Sequence, residues 1–165
     1  VVSPKGATEN EGTVMSAIGT LNTAHIGINV TDLDRSLRFY GEVLGFETIG
    51  VGDADGRRYA FLGQEGRLTL TLWQQAEGGY EANRAGLHHL AFQAESLEKV
   101  REAEAALKAR GVDFAYDGVV ALREGATAAG IFFHDPDGTR LEINVPQGAE
   151  GAPAPSTTAP TCGFF

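Results

Sequence analysis

Cysteine is nearly absent. The 165-residue chain holds one, Cys162, so no intrachain disulfide can form, a usage that fits a reducing cytoplasm. Basic residues are also scarce, 13 Lys and Arg against 22 Asp and Glu. The resulting net charge of −9 argues against nucleic acid and anionic membrane surfaces, whose phosphates it would repel. No apolar run is long enough for a transmembrane helix or a signal-peptide core. The expectation is a soluble, cytoplasmic protein with a small-molecule partner. A hydrophobic fraction of 42% over this length supports one domain with a real core, and the fold has to come from the pattern.

Two ends stand apart from that pattern. Residues 1–20 form a polar, glycine-dotted leader with an internal Met15, which we leave out of the fold argument. Residues 148–165, rich in Ala, Pro, Gly, Ser and Thr, read as a flexible tail. Its terminal Phe164 and Phe165 are either an inert end or a pair that docks in an apolar groove.

Between the ends, one pattern occurs twice. Ile26, Ile28 and Val30 alternate with His25, Gly27 and Asn29, so a strand here turns its aliphatic row to the core and His25 with Asn29 to the other face. Thr31 reads as a helix N-cap, followed by Asp32 and Asp34 at the positive end of the dipole. Leu33, Leu37, Tyr40 and Leu44 recur at helical spacing, and Gly45 stops the helix. FETIGVGD, RRYAFLG and RLTLTLWQQ supply three further strands, separated by DADG and GQEG. After a polar connection, LHHLAFQA begins again. Ser96 caps the next helix, Leu97, Val100, Ala103 and Leu107 make its stripe, and Gly111 ends it. DFAYDGVV, AGIFFH and TRLEINV complete the second βαβββ unit, the last two joined by Asp135-Pro136-Asp137-Gly138. His89 − His25, Ala94 − Val30 and Leu97 − Leu33 each give 64, so the halves are copies.

The duplication makes His89, rather than His88, the counterpart of His25. Alternation puts His89, Ala91 and Gln93 on one face of their strand, and Arg140, Glu142 and Asn144 opposite the apolar row Leu141, Ile143 and Val145. Taken alone, a strand histidine is more often a hydrogen-bonded core or surface residue, and a strand glutamate is most often solvated. Agreement of His25, His89 and Glu142 with one duplicated topology favours a divalent metal held by two imidazoles and a carboxylate.

At HIGINVTDLDRSLRFYGEVLGFE, HLAF and FFHDPDGTRLEI the chain resembles the vicinal oxygen chelate superfamily, which includes glyoxalase I, bleomycin-resistance proteins, fosfomycin-resistance enzymes, methylmalonyl-CoA epimerases and extradiol dioxygenases. The resemblance covers residues 22–147, with modules at 22–84 and 86–147. It implies an α+β fold in which tandem βαβββ modules form a cupped mixed sheet with helices on the convex face. It also implies metal ligands on the first and fourth strands of each module, at positions His25, Thr71, His89 and Glu142.

Thr71 departs from the glutamate that glyoxalase I has there, and a hydroxyl is a weak ligand and a poor base. Strict glyoxalase I activity is therefore disfavoured, and Glu142 remains as the one catalytic carboxylate of the set. Extradiol dioxygenases place a tyrosine at Phe132 and a histidine near Arg123 and Glu124; fosfomycin-resistance enzymes also have a tyrosine matching Phe132, and ALREGATAAG is only loosely like their cation-binding loop. Asn29, Thr71, Trp73, Gln93, Phe132 and Arg140 are the candidate substrate contacts: Trp73 and Phe132 as an apolar or stacking wall, or equally as ordinary core, and Arg140 as a partner for an anionic substrate or for a neighbouring acid. His134 is a candidate acid or base at the cavity lip, against the plainer reading of a solvent-exposed turn residue.

The expected function is thus a metal-dependent lyase, transferase or dioxygenase of this type, using one divalent ion (Zn, Fe, Mn, Ni or Co) on a substrate chelated through adjacent oxygens. The alternative is a non-catalytic, bleomycin-resistance-type dimer that binds a drug. By resemblance the chain is a homodimer, and whether modules pair within or between chains is left open.

Overall fold

The alternation that begins at Ile26 becomes a strand because every second side chain finds the core: Ile28 and Val30 are buried, while Gly27 and Asn29 are exposed. The computed structural model describes residues 18–163 and 165; residues 1–17, with Met15, and Phe164 lie outside the described residues. Module 1 runs β1 (Ile26–Val30), α1 (Leu33–Leu37, continued by a π-helical stretch Arg38–Val43), β2 (Glu47–Ala54), β3 (Arg57–Gln64) and β4 (Arg67–Gln74). Module 2 runs β5 (Leu90–Gln93), α2 (Leu97–Ala109), β6 (Val120–Ala121), β7 (Ala129–His134) and β8 (Arg140–Val145).

Each module keeps its own four-stranded mixed sheet, in the orders β1-β4-β3-β2 and β5-β8-β7-β6. The first strand of each module pairs in parallel with the fourth, and the other pairs are antiparallel. Register repeats with topology: Gly27 lies opposite Thr71, and Ala91 lies opposite Glu142. Thr71 and Glu142 therefore occupy corresponding positions, and this is the tandem βαβββ α+β fold.

Four local expectations are corrected. The cap of α1 is Asp32, whose carboxylate accepts from Arg35 N at 3.0 Å. Thr31 is diverted because its hydroxyl donates to Asp137, 106 residues away, at 2.5 Å. After Leu37 the helix widens to a π turn before Gly45, at φ 78°, ends it. DFAYDGVV makes only the bridge Phe114–Phe133 and the short β6, since Gly118 at φ 76° turns the chain out of extended form. Finally, the tail is seated against module 2 rather than free. Ala121 N donates to Pro153 O at 2.8 Å, Thr161 N to Leu122 O at 2.9 Å, and Thr161 Oγ1 to Ala121 O at 2.6 Å. Val120–Ala121 is an edge strand with unpaired backbone groups, and the tail satisfies them.

The modules share one core on their helix side, where Leu33, Phe39 and Tyr40 join Val100, Leu107, Ile131, Phe133 and Leu141. Phe39 lies 6.5 Å from Phe133, ring to ring. The HDPDG turn fastens this contact. Asp137 takes Thr31 N at 3.0 Å, the Thr31 hydroxyl, and Arg35 Nη2 at 2.5 Å. Asp135 takes the buried Tyr40 hydroxyl at 2.8 Å and its own turn amides, Asp137 N and Thr139 N, at 2.9 and 2.8 Å. Gly79 passes so close that an added Cβ would sit 2.9 Å from Asp137 O, which also accepts Tyr80 N.

Replacing Tyr40 by Phe leaves the Asp135 carboxylate buried without this donor. We expect a loss of about 1–3 kcal/mol in urea unfolding, with circular dichroism unchanged. An unshifted midpoint would show that the bond does not hold the modules.

Candidate metal centre

β5 and β8 run side by side, so residues at their starts share a face. His89, immediately before β5, brings Nε2 to 3.5 Å from Oε2 of Glu142. Glu142 is only 3% exposed, and its Oε1 accepts Asn144 Nδ2 at 2.6 Å. The ion pairs among the described residues give this buried carboxylate no Lys or Arg, only His89. The arrangement suits a cation, which would offset a charge that burial otherwise penalises.

His89 is positioned from behind. Arg140 Nη1 lies 3.4 Å from His88 Nε2, to which the guanidinium can only donate. The two Nδ1 atoms lie 2.8 Å apart, so this contact turns the ring of His89 and leaves its Nε2 facing Glu142. Burial lowers the His89 pKa below the ordinary imidazole value, and His88 and Arg140 add to that; the Glu142 charge opposes it. The imidazole is therefore kept neutral, the form in which it can bind a metal.

One further donor lies beside the pair. His89, Glu142 and Cys162 each present a ligand atom, all within 4.8 Å of one another. Cys162 belongs to a short 3-10 turn, Thr161–Gly163, which Tyr116 also holds by donating to Thr161 O at 3.2 Å. Phe165 follows it onto the sheet, with its ring 4.9 Å from Phe132, 5.8 Å from His89 and 5.7 Å from the Arg140 guanidinium. Of the two open readings of the terminal aromatics, docking describes Phe165.

Of the anticipated residues, the structure brings together His89, Glu142, Phe132 and Arg140. Phe132 faces Glu142 across β7 and β8 and is fully buried between Tyr116 and Phe165. His134 stands at the end of β7, its Nδ1 3.1 Å from an oxygen of Asp113 and its ring 6.2 Å from Phe165. The other residues lie elsewhere. His25 is exposed beside Thr23, Gln64, Arg67 and Thr69, outside the His89–Glu142 group. Thr71 is buried on β4 and accepts Trp73 Nε1 at 3.1 Å, and Trp73 lies 5.1 Å from Tyr59. Asn29 lines a cleft with Tyr80, Arg84 and Leu87, and Gln93 a shallow pocket with Phe46 and Phe92. Cys162 and Tyr116 went unrecognised because neither has a counterpart in the duplicated pattern; the only signal was that the single cysteine stands two residues before the sequence pair Phe164 and Phe165.

A duplicated βαβββ scaffold with an imidazole–carboxylate pair on one sheet face defines a protein of the vicinal oxygen chelate class. Residues 22–143 match the family model of the Glyoxalase/Bleomycin resistance protein/Dioxygenase superfamily, and the chain belongs to that superfamily. It is 31% identical over 120 residues to a trivalent organoarsenical cleaving enzyme of Bacillus sp. (strain MD1), spanning 73% of this chain and 70% of that one. The solved glyoxylase/bleomycin resistance protein/dioxygenase domain from Frankia sp. EAN1pec superposes with a TM-score of 0.69 at 26% identity, covering 78% of this chain and all of that one. A fosfomycin resistance protein, FosX, from Listeria monocytogenes, solved with Mn(II) and sulfate, shares the fold (TM-score 0.57, 21% identity, 78% of this chain and 95% of that one). No helix among the described residues is long and apolar enough to cross a membrane.

The lowered His89 pKa has a consequence in metal-free protein. An imidazole harder to protonate when folded than unfolded contributes stability that is full above its ordinary value, about 6.5. That stability is lost as pH falls through its lower folded value. We expect the stability difference between wild type and His89→Gln to shrink as urea titrations move below about pH 6.5; a difference constant with pH would contradict the assignment.

Proposed function

We propose that the protein is a metal-dependent enzyme in which His89 and Glu142 hold a divalent ion together with His25 from module 1 of a second copy. The observation that carries this reading is the His89–Glu142 pair, a neutral imidazole facing a buried carboxylate at 3.5 Å. His25 lies outside that group in its own chain, exposed at the start of an edge strand, where a second copy can be reached. The ion, when bound, would act as a Lewis acid toward a small substrate that offers adjacent oxygens.

His89 would bind through Nε2, the nitrogen that faces Glu142, while its Nδ1 keeps the contact with His88. Glu142 would bind through Oε2, while Asn144 keeps Oε1 oriented. Phe132, Tyr116 and Phe165 exclude water from one side of the pair, and Arg140 offers a cation at the rim for an anionic substrate group. His134, beside Asp113, is the nearby group suited to move a proton at the rim. Trivalent organoarsenicals are the first substrate class to assay, given the Bacillus relative's activity.

A second reading has one observation in its favour. Tyr59, Phe61 and Trp73 form a half-buried aromatic row on module 1, with ring separations of 5.1–5.3 Å, which would suit a flat drug bound without catalysis. A thermal shift with such a ligand that survives chelator would favour it.

Elemental analysis tests the leading reading. Protein purified from metal-replete medium should carry stoichiometric divalent metal, and His89→Ala should lose it; metal-free wild type would sink the proposal. Subunit exchange tests the shared site. His25→Ala and His89→Ala should each bind metal poorly, and co-refolding the two should restore sites built from one intact half of each. If mixing restores nothing, His25 does not act across chains.

A further inference from the structure

We propose that Cys162 is a metal ligand, so that the C-terminal tail supplies a thiolate donor to the His89–Glu142 centre of its own chain. The inference rests on the metal-dependent reading and deepens it by naming a donor that lies outside the duplicated modules.

Three observations converge on Cys162. Its Sγ lies within 4.8 Å of ligand atoms of both His89 and Glu142, a separation compatible with all three meeting one ion. The segment that carries it is built into the fold: the two backbone-directed bonds of Thr161, the Tyr116 hydroxyl and the burial of Phe165 against Phe132 fix the turn on either side. The internal duplication, meanwhile, leaves a donor missing. The position corresponding to Glu142 is Thr71, whose hydroxyl already accepts Trp73 Nε1. A thiolate on the tail replaces what Thr71 does not offer.

Coordination would release the thiol proton to solvent and leave a dative sulfur–metal bond, with no change of oxidation state. The chemical consequence is selectivity. Imidazole, carboxylate and thiolate together favour borderline ions such as Zn(II) and Co(II) over Mn(II) and Mg(II), for which all-oxygen or nitrogen–oxygen sets suffice.

Cobalt(II) is the probe, and the single cysteine makes the signal unambiguous. Titrated into reduced wild-type protein, it should give a sulfur-to-cobalt charge-transfer band in the near ultraviolet. In Cys162→Ser and Cys162→Ala the band should vanish while cobalt still binds, at least about tenfold more weakly, since even outer partners of a ligand contribute that much. In wild type, zinc should also protect Cys162 from maleimide alkylation, a readout independent of any variant. Cobalt bound without the band, or a band that survives Cys162→Ala, overturns the thiolate donor and leaves the metal site standing. Failure of wild type to bind cobalt at all overturns both.

Discussion

The structure depends on two aspartates in one turn. Asp135 and Asp137 belong to module 2, yet their carboxylates are spent largely on module 1, on Thr31, Arg35 and Tyr40. Burial raises the pKa of Asp135, and the hydrogen bonds from Tyr40, Thr139 and Asp137 oppose that shift. The same bond and burial push the Tyr40 hydroxyl well above its ordinary value, so it remains a donor at any physiological pH. The clamp joins two sheets that share no backbone ladder. With the helix sides of both modules committed to one core, each sheet's other face points away from it, and the first-strand histidines of the two copies stay apart within a chain.

That separation explains why identical sequence logic gave different local outcomes in the two halves. His25 and His89 are equivalent by position, and Gly27–Thr71 and Ala91–Glu142 are equivalent by register. Chemistry separates them. Module 2 has a carboxylate facing its histidine, and the tail closes over it. Module 1 has a hydroxyl bonded to an indole and a histidine open to solvent. On the proposed reading, module 2 offers an imidazole and a carboxylate and module 1 an exposed histidine, so that two chains would complete one another.

What was legible in the sequence was whatever local periodicity encodes. The duplicated strands and helices, the Ser96 cap, the stops at Gly45 and Gly111 and the inward face of Glu142 all follow from alternation or helical spacing within a few residues. Long-range partners overrode the rest. Thr31 has the chemistry of a cap but is claimed by an aspartate 106 positions later, and Asp32 takes the role one residue on. The tail has no period at all, only Pro, Ala and small polar residues, so nothing local announces that its backbone completes the β6 edge. His25 stands exposed just before β1, and alternation along a strand does not say which other surfaces a residue at its start will meet.

The tail also changes how the centre should be understood. On module 2 it covers Phe132 and stands over His89, the same face that a second copy's module 1 would approach to deliver His25. The tail is narrow, however: its hold consists of a few bonds at Thr161 and Pro153 and one buried ring, and Phe165 rather than the backbone occupies the space before His89. An imidazole arriving from another chain would have to reach His89 past that ring. On the proposed reading, the sulfur of the tail and the imidazole of a second chain would both be donors to an ion at His89 and Glu142.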